Sequence, residues 1–273
     1  MTFDLSHPDI AAAVERALVE DIGSGDITTD SCIPADLRAE ARFMARQDLT
    51  LAGVELLDLL FTNVTQRRNS GDRVLAGDEI ARVHGPARLL LTRERVSLNF
   101  LQRLSGIATL ASKFVEAVAG TGVKILDTRK TTPGLRVLEK MAARAGGVVN
   151  HRVGLFDAVL IKNNHIRLAG SVRNAIERAR SAGQPIEVEV RSRGEIEAAL
   201  ECGASRLLLD NMTPQQAAEE VRFIARRAET EISGRVTLTN VRGYAEARPD
   251  FISSGSITHS ATAVDLNCGI YAL

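Results

Sequence analysis

The chain has 273 residues, 45% of them apolar and 25% charged, with Lys+Arg and Asp+Glu each numbering 34. That balance supplies no net field to attract nucleic acid or an anionic membrane, and the lack of Trp leaves little for base stacking. Cys32, Cys202 and Cys268 are too far apart for a metal cluster and too few for a disulfide framework, which fits a reducing compartment. No apolar run approaches a membrane span, and MTFDLSHPDI lacks the basic-then-apolar pattern of a signal peptide. The expectation is a soluble cytoplasmic protein whose partners are neither nucleic acid nor membrane.

Pro8–Glu20 carries Ile10, Val14 and Leu18 at helical spacing, and the helix stops at Asp21-Ile22-Gly23. Ala39–Gly53 mixes strand formers with charges, Val54–Phe61 reads as a short apolar helix, and Gly71-Asp72 and Gly77-Asp78 punctuate short antiparallel strands. A long helix is predicted from about Arg88 to Val118, because Val96, Phe100, Leu104, Ile107, Ala111 and Val115 recur at three- and four-residue steps. Arg103 falls near that stripe, so its cation is either paired at an interface or aimed into a site.

From Val123 the texture becomes strand, loop, helix, repeated. Strands are predicted at Val123–Asp127, Asp157–Lys162, Ile186–Val190, Arg206–Asp210, Glu229–Ser233 and Asp250–Ser253. Helices are predicted between them at Leu135–Ala145, Val172–Ala182, Gly194–Cys202 and Pro214–Arg227. Alternation of this kind indicates parallel strands in an α/β layout, with the site at the strands' C-terminal ends.

The charge is locally uneven. Lys124–Arg167 holds nine Lys/Arg against three Asp/Glu, and Ile186–Glu220 holds eight Asp/Glu against three Arg. One side of such a site suits carboxylates or phosphates, and the other suits Mg²⁺ or sugar hydroxyls. The plainer reading, solvated helix faces, fails for residues that end apolar strand runs.

Four constellations carry chemistry. Asp127-Thr128-Arg129-Lys130 puts two adjacent cations on a strand end, where they must face different subsites. Asn150-His151-Arg152 and Ile161-Lys162-Asn163 add further cations; Lys162 ends an apolar run, so it reads as more than a solvated charge. Glu187 and Glu189 share one strand face, and Asp210 ends the next strand, an arrangement that can hold Mg²⁺ or sugar hydroxyls. Ser233-Gly234-Arg235 and Ser254-Gly255-Ser256 follow the last two strands, where small residues let backbone N–H groups approach a phosphate.

Together with Glu20-Asp21, Gly25-Asp26-Ile27-Thr28, the run Leu98–Thr109 around Arg103, and Thr258-His259-Ser260, these residues resemble the quinolinate phosphoribosyltransferase family. The resemblance implies an N-terminal α/β sandwich domain over residues 1–112, to which residues 264–273 return. It also implies a C-terminal incomplete six-stranded α/β barrel over residues 113–263. Carried over by position, Arg103, Thr128, Arg129, His151, Arg152 and Lys162 would bind quinolinate. Lys130, Glu189 and Asp210 would be catalytic, and Glu189 and Asp210 would also hold Mg²⁺. Ser233, Gly234, Arg235, Ser254, Gly255 and Ser256 would cradle the phosphate of phosphoribosyl pyrophosphate. The resemblance further implies a homodimer in which Arg103 of one subunit reaches into the active site of the other.

Against the family pattern, this chain has Arg235 and Arg248 where Gly is usual, Val148 where a third Gly stands, and Asn163 in place of an acid. Three alternatives stay open at this level. They are a molybdenum-transport paralogue, an aldolase using Lys162 as a Schiff-base amine, and a binder without turnover.

Overall fold

The computed structural model describes residues 4–273. It divides into two compact units, one comprising the stretch up to Ser112 with residues 131–147 and 258–273, the other residues 113–130 and 148–257.

The first unit opens with α1 (Pro8–Ile22), started by a proline at its first turn and burying Ile10, Ala13 and Val14. Helix α2 (Ile27–Cys32), too short to show a periodic stripe in the sequence, is capped by Asp26, whose side chain accepts from Thr29 N–H at 3.0 Å. Strands β1 (Arg38–Ala45), β2 (Leu49–Thr50), β3 (Val64–Arg67), β4 (Arg73–Val74) and β5 (Glu79–Pro86) follow, with the short α3 (Leu57–Leu60) among them. The chain's last strand, β12 (Leu266–Ala272), pairs antiparallel with β1 from Ala39↔Ala272 to Ala45↔Leu266, completing a sheet ordered β12-β1-β5-β3. Ala39, Ala41, Phe43 and Ala45 alternate along β1 into the core, as a period of two requires.

Helix α4 (Ala87–Ala117) runs 31 residues and is approached closely at two points. A Cβ on Gly106 would lie 2.2 Å from the Thr262 carbonyl, and one on Gly146 2.3 Å from the Ala108 carbonyl. No side chain fits at either place, so both glycines are fixed by packing. Gly146 caps α5 (Arg136–Ala145), which belongs to this unit although it follows a strand of the other.

The second unit is a parallel sheet of β6 (Lys124–Leu126), β7 (Val159–Ile161), β8 (Ile186–Val190), β9 (Arg206–Asp210), β10 (Glu229–Ser233) and β11 (Phe251–Ser253). Its order, β6-β11-β10-β9-β8-β7, is the chain order with the last strand paired back to the first. The result is an incomplete six-stranded α/β barrel, open between β6 and β7, where a single bridge from Leu126 to Val149 marks the seam. Helices α6 (Asn163–Ala169), α7 (Val172–Ala179), α8 (Arg193–Glu201), α9 (Pro214–Ile224), α10 (Val241–Ala245) and α11 (Ser256–His259) lie along this part of the chain. Ser171, Ser192 and Thr213 cap α7, α8 and α9 through their hydroxyls, and for α8 and α9 this sets the helix start just past the preceding strand. Among the described residues, no helix is long and apolar enough to cross a membrane.

Candidate active site

The cationic side of the second unit is built around Asp127, fully buried just past β6. Its carboxylate accepts from Asn150 Nδ2 at 2.7 Å and from His151 N–H at 2.8 Å, which pins residues 150–152 against the end of β6. Arg129 comes out half-buried and Lys130 exposed, the divergence expected of neighbours on an extended chain. Thr128 Oγ1 accepts from Lys130 N–H at 3.1 Å and shapes the turn. Arg152 donates from Nη1 to the Ala158 carbonyl at 3.1 Å, while its Nε is buried and makes no hydrogen bond. Burial, and then the charge of Arg129, hold the Arg152 guanidinium below the usual arginine range. A half-buried cation with an unspent donor, pushed against another cation, is arranged for an anion. Lys162 ends β7 as the sequence places it, but its side chain is exposed, because the apolar run stops one residue earlier.

His151 leads into a cluster whose members are far apart in the sequence. Its Nε2 lies 3.3 Å from Glu187 Oε2 and 3.4 Å from Glu231 Oε2, and both carboxylates are buried. Three such groups within 4.8 Å of one another have the makings of a metal site. His151 Nδ1 lies 2.7 Å from the Arg152 backbone nitrogen, so Nε2 is the ring nitrogen turned to the two carboxylates. Burial opposes charge on the ring, but the carboxylates of Glu187 and Glu231 outweigh it and push the imidazole up to about 9. Burial pushes Glu187 upward, whereas Glu231, despite its own burial, is held down by the imidazole. Glu231 was legible in principle: it lies two residues before Ser233, on the same strand face.

This cluster makes stability pH-dependent. Because the folded imidazole titrates above its ordinary 6.5, its contribution is complete below about 6.5 and is lost as pH rises through about 9. We expect the Tm to fall over that window and the fall to flatten in Glu231→Gln. Equal slopes in thermal melts of the two proteins would contradict the assignment.

The acidic side sits at the ends of β8 and β9. Glu189 accepts from Asn163 N–H at 3.3 Å, and Asp210 accepts from Asn211 Nδ2 at 2.8 Å. Both carboxylates also meet Arg191, at 3.3 and 2.8 Å. A cavity of about 510 Å³ opens beside them, lined by Arg191, Asp210, Asn211, Gln216 and Arg235 among others.

The Ser-Gly loops are drawn tight. Gly234 has φ +99°, and a Cβ there would fall 2.5 Å from Asn211 Oδ1, so geometry and packing both demand glycine. Ser254 Oγ donates to the Val236 carbonyl at 2.7 Å and Ser254 N–H to the Leu126 carbonyl at 3.1 Å, tying the two loops and β6 together. Arg235 and Arg248, which stand where the family pattern has Gly, keep left-handed backbones with φ of 52° and 54°. Both arginines thus sit in a conformation that favours glycine. Arg235→Gly should therefore stabilise the protein by about 1 kcal/mol, read as a higher urea midpoint; a lower midpoint would mean the side chain contributes contacts that outweigh the strain.

Arg103 lies in the first unit. Its guanidinium donates to Glu139 Oε1 from Nε at 3.1 Å and from Nη2 at 2.8 Å, to the Thr258 carbonyl at 2.6 Å and to the Ala261 carbonyl at 2.9 Å. The fully buried Glu139 also accepts from Thr132 Oγ1 and N–H, at 2.7 and 3.1 Å. Of the five N–H donors on a guanidinium, these contacts leave Arg103 a single one on Nη1.

Clustered cations facing clustered carboxylates at the strand ends of an incomplete α/β barrel make an enzyme scaffold for small anionic substrates. Comparison with known proteins narrows that class. The profile of the quinolinate phosphoribosyl transferase C-terminal domain matches residues 107–268, and that of the N-terminal domain matches residues 26–105. The chloroplastic nicotinate-nucleotide pyrophosphorylase (carboxylating) of Arabidopsis thaliana is 40% identical over 295 residues, covering 97% of this chain and 84% of that one. A probable nicotinate-nucleotide pyrophosphorylase (carboxylating) of Bacillus subtilis is 38% identical over 275 residues, covering 97% and 95%. The crystal structure of NadC from Streptococcus pyogenes superposes with a TM-score of 0.93 at 39% identity, covering 99% of each chain. The chain belongs to the quinolinate phosphoribosyltransferase family.

Proposed function

We propose that this protein is a decarboxylating quinolinate phosphoribosyltransferase, which converts quinolinate and phosphoribosyl pyrophosphate into nicotinate mononucleotide, pyrophosphate and CO₂ for de novo NAD synthesis. The observation that carries the reading is Arg152, a cation held in a partly buried place beside Arg129 with an unspent donor on Nε. A dianion such as quinolinate relieves both costs, and guanidinium forks bind carboxylates two bonds at a time. Arg129, Arg152 and Lys162 are the proposed carboxylate ligands, with Thr128 shaping the turn and His151 adding charge from its seat on Glu187 and Glu231. Lys130, the exposed neighbour, faces the pyrophosphate side.

The donor sugar loses pyrophosphate through a cationic state, which Glu189 and Asp210 stabilise while holding its hydroxyls. The two carboxylates also suit Mg²⁺, since each turns one hard, anionic oxygen to the same Arg191 nitrogen. When bound, Mg²⁺ would neutralise charge gathering on the leaving pyrophosphate. Gly234, with the hydroxyl and N–H groups of Ser233, Arg235, Ser254, Gly255 and Ser256, is proposed to cradle the 5′-phosphate. Once the pyridine nitrogen is bonded to the sugar and positive, it accepts the electron pair of the adjacent C–CO₂⁻ bond. CO₂ leaves and a proton takes its place on the ring. No step needs a protein nucleophile, so the exposed Lys162 serves as a charge.

Two features of the assembly belong to the same proposal. Arg103, with its one remaining donor, would complete the site of a neighbouring subunit in a homodimer. Hybrids of inactive Arg103→Ala and inactive Lys130→Ala chains should then recover activity, and none would be recovered if Arg103 worked within its own chain. The three free, widely spaced cysteines support a cytoplasmic setting.

The experiment that tests the function compares quinolinate with nicotinate as acceptor. Nicotinate lacks the second carboxylate, so its kcat/KM should be at least a hundredfold lower, about 2.7 kcal/mol in transition-state binding. Equal efficiency would overturn the substrate assignment.

A further inference from the structure

Glu189 is the penultimate residue of β8 and Asp210 the last of β9, and one guanidinium bridges them. Arg191 Nη2 lies 2.8 Å from Asp210 Oδ2 and 3.3 Å from Glu189 Oε1, and its Nε donates to Asp210 Oδ2 at 2.9 Å. The carboxylates are well fixed, with side chains only 11% and 12% exposed and their orientations held by Asn163 N–H and Asn211 Nδ2. Arg191 is the loose partner: its side chain is 48% exposed and lies along the wall of the adjoining cavity. Its own N–H is anchored to Glu195 Oε2 at 2.7 Å, so the side chain can swing while the backbone stays. Two oxygens converging on a single nitrogen define a seat for one small cation. A guanidinium nitrogen and a divalent ion cannot share it.

We propose that Arg191 is the resident cation of the Glu189–Asp210 seat, and that a divalent metal loads by exchanging with this arginine and not by entering an open site. The proposal rests on the reading that Glu189 and Asp210 hold Mg²⁺. It has a physical logic. Two carboxylates left facing each other would repel, and the arginine between them offsets that repulsion and holds both oriented until the metal arrives. Because Arg191 is half exposed, solvent screens its hold, which stays weak enough to be displaced. The cost to metal binding is the ion pair that must open.

The test is Mn²⁺ binding to the metal-free full-length protein, followed by the electron paramagnetic resonance of free aqueous Mn²⁺ in wild type, Arg191→Met, Arg191→Lys and Asp210→Asn. Arg191→Met should bind Mn²⁺ about fivefold tighter than wild type, the scale of one screened ion pair. Arg191→Lys, which keeps a cation but loses the fork, should fall between them, and it carries the test if the methionine variant folds poorly. Asp210→Asn should bind more weakly than wild type. Unchanged or weaker binding in both Arg191 variants, with Asp210→Asn still impaired, would overturn the exchange while leaving the metal reading intact. Unimpaired binding in Asp210→Asn would sink the metal reading and the exchange with it.

Discussion

Alanine at Arg152 should lower kcat/KM for quinolinate about a thousandfold while leaving the fold as stable as before, or slightly more so. The loss follows from truncating one member of a desolvated charge pair with the substrate, worth about 4 kcal/mol. The stability follows from what Arg152 does in the chain alone. Its Nε has no hydrogen bond, its Nη1 donates to the Ala158 carbonyl, and burial and Arg129 both oppose its charge. Removing it takes away a strain along with a contact. Steady-state kinetics beside urea melts would separate the two effects. A drop of less than tenfold, or a stability loss that tracks the activity loss, would mean that Arg152 is a structural residue.

Glu139 should behave the opposite way. Alanine there is expected to cost about 3 kcal/mol of stability, near the lower end for breaking a buried ion pair because Arg103 is still partly exposed. Glu139 is wholly buried, and it alone receives the Nε and one Nη2 bond of Arg103 and both donors of Thr132. Without it, the two Arg103 donors are left half-buried and unmatched. Chemical denaturation measures the change directly. A cost below 1 kcal/mol would show that water replaces the carboxylate.

The strands that hold the site were the most legible part of the sequence. Ile186–Val190, Arg206–Asp210 and Glu229–Ser233 stand where their β-branched and apolar runs put them, since parallel strands between helices read as compact apolar segments. The helix starting at Asn163 was not legible, because it is short, follows its strand with no spacer and buries no residue that would give a periodic stripe. The resemblance marked Arg235 and Arg248 as departures from the family pattern, but only the backbone shows that both are left-handed.

Side-chain pairing was harder to read than strand position. Glu187 was seen beside Glu189 on one strand face, yet its partners His151 and Glu231 come from a loop and from a strand two places away in the sheet. In the sequence Arg191 is one positive charge in an acidic stretch. Its place on Glu189 and Asp210 depends on the register of β8 against β9, which no local pattern encodes. Arg103 was correctly placed on the long helix, but the pairing with Glu139 spans 36 residues.

The most direct test of the whole account is the product balance of a single reaction. The purified protein is given quinolinate, phosphoribosyl pyrophosphate and Mg²⁺, and CO₂ and nicotinate mononucleotide are measured together. One CO₂ is expected for each nucleotide, with neither formed when Mg²⁺ is chelated. Nucleotide without CO₂, CO₂ without nucleotide, or binding of quinolinate with no product at all would contradict it.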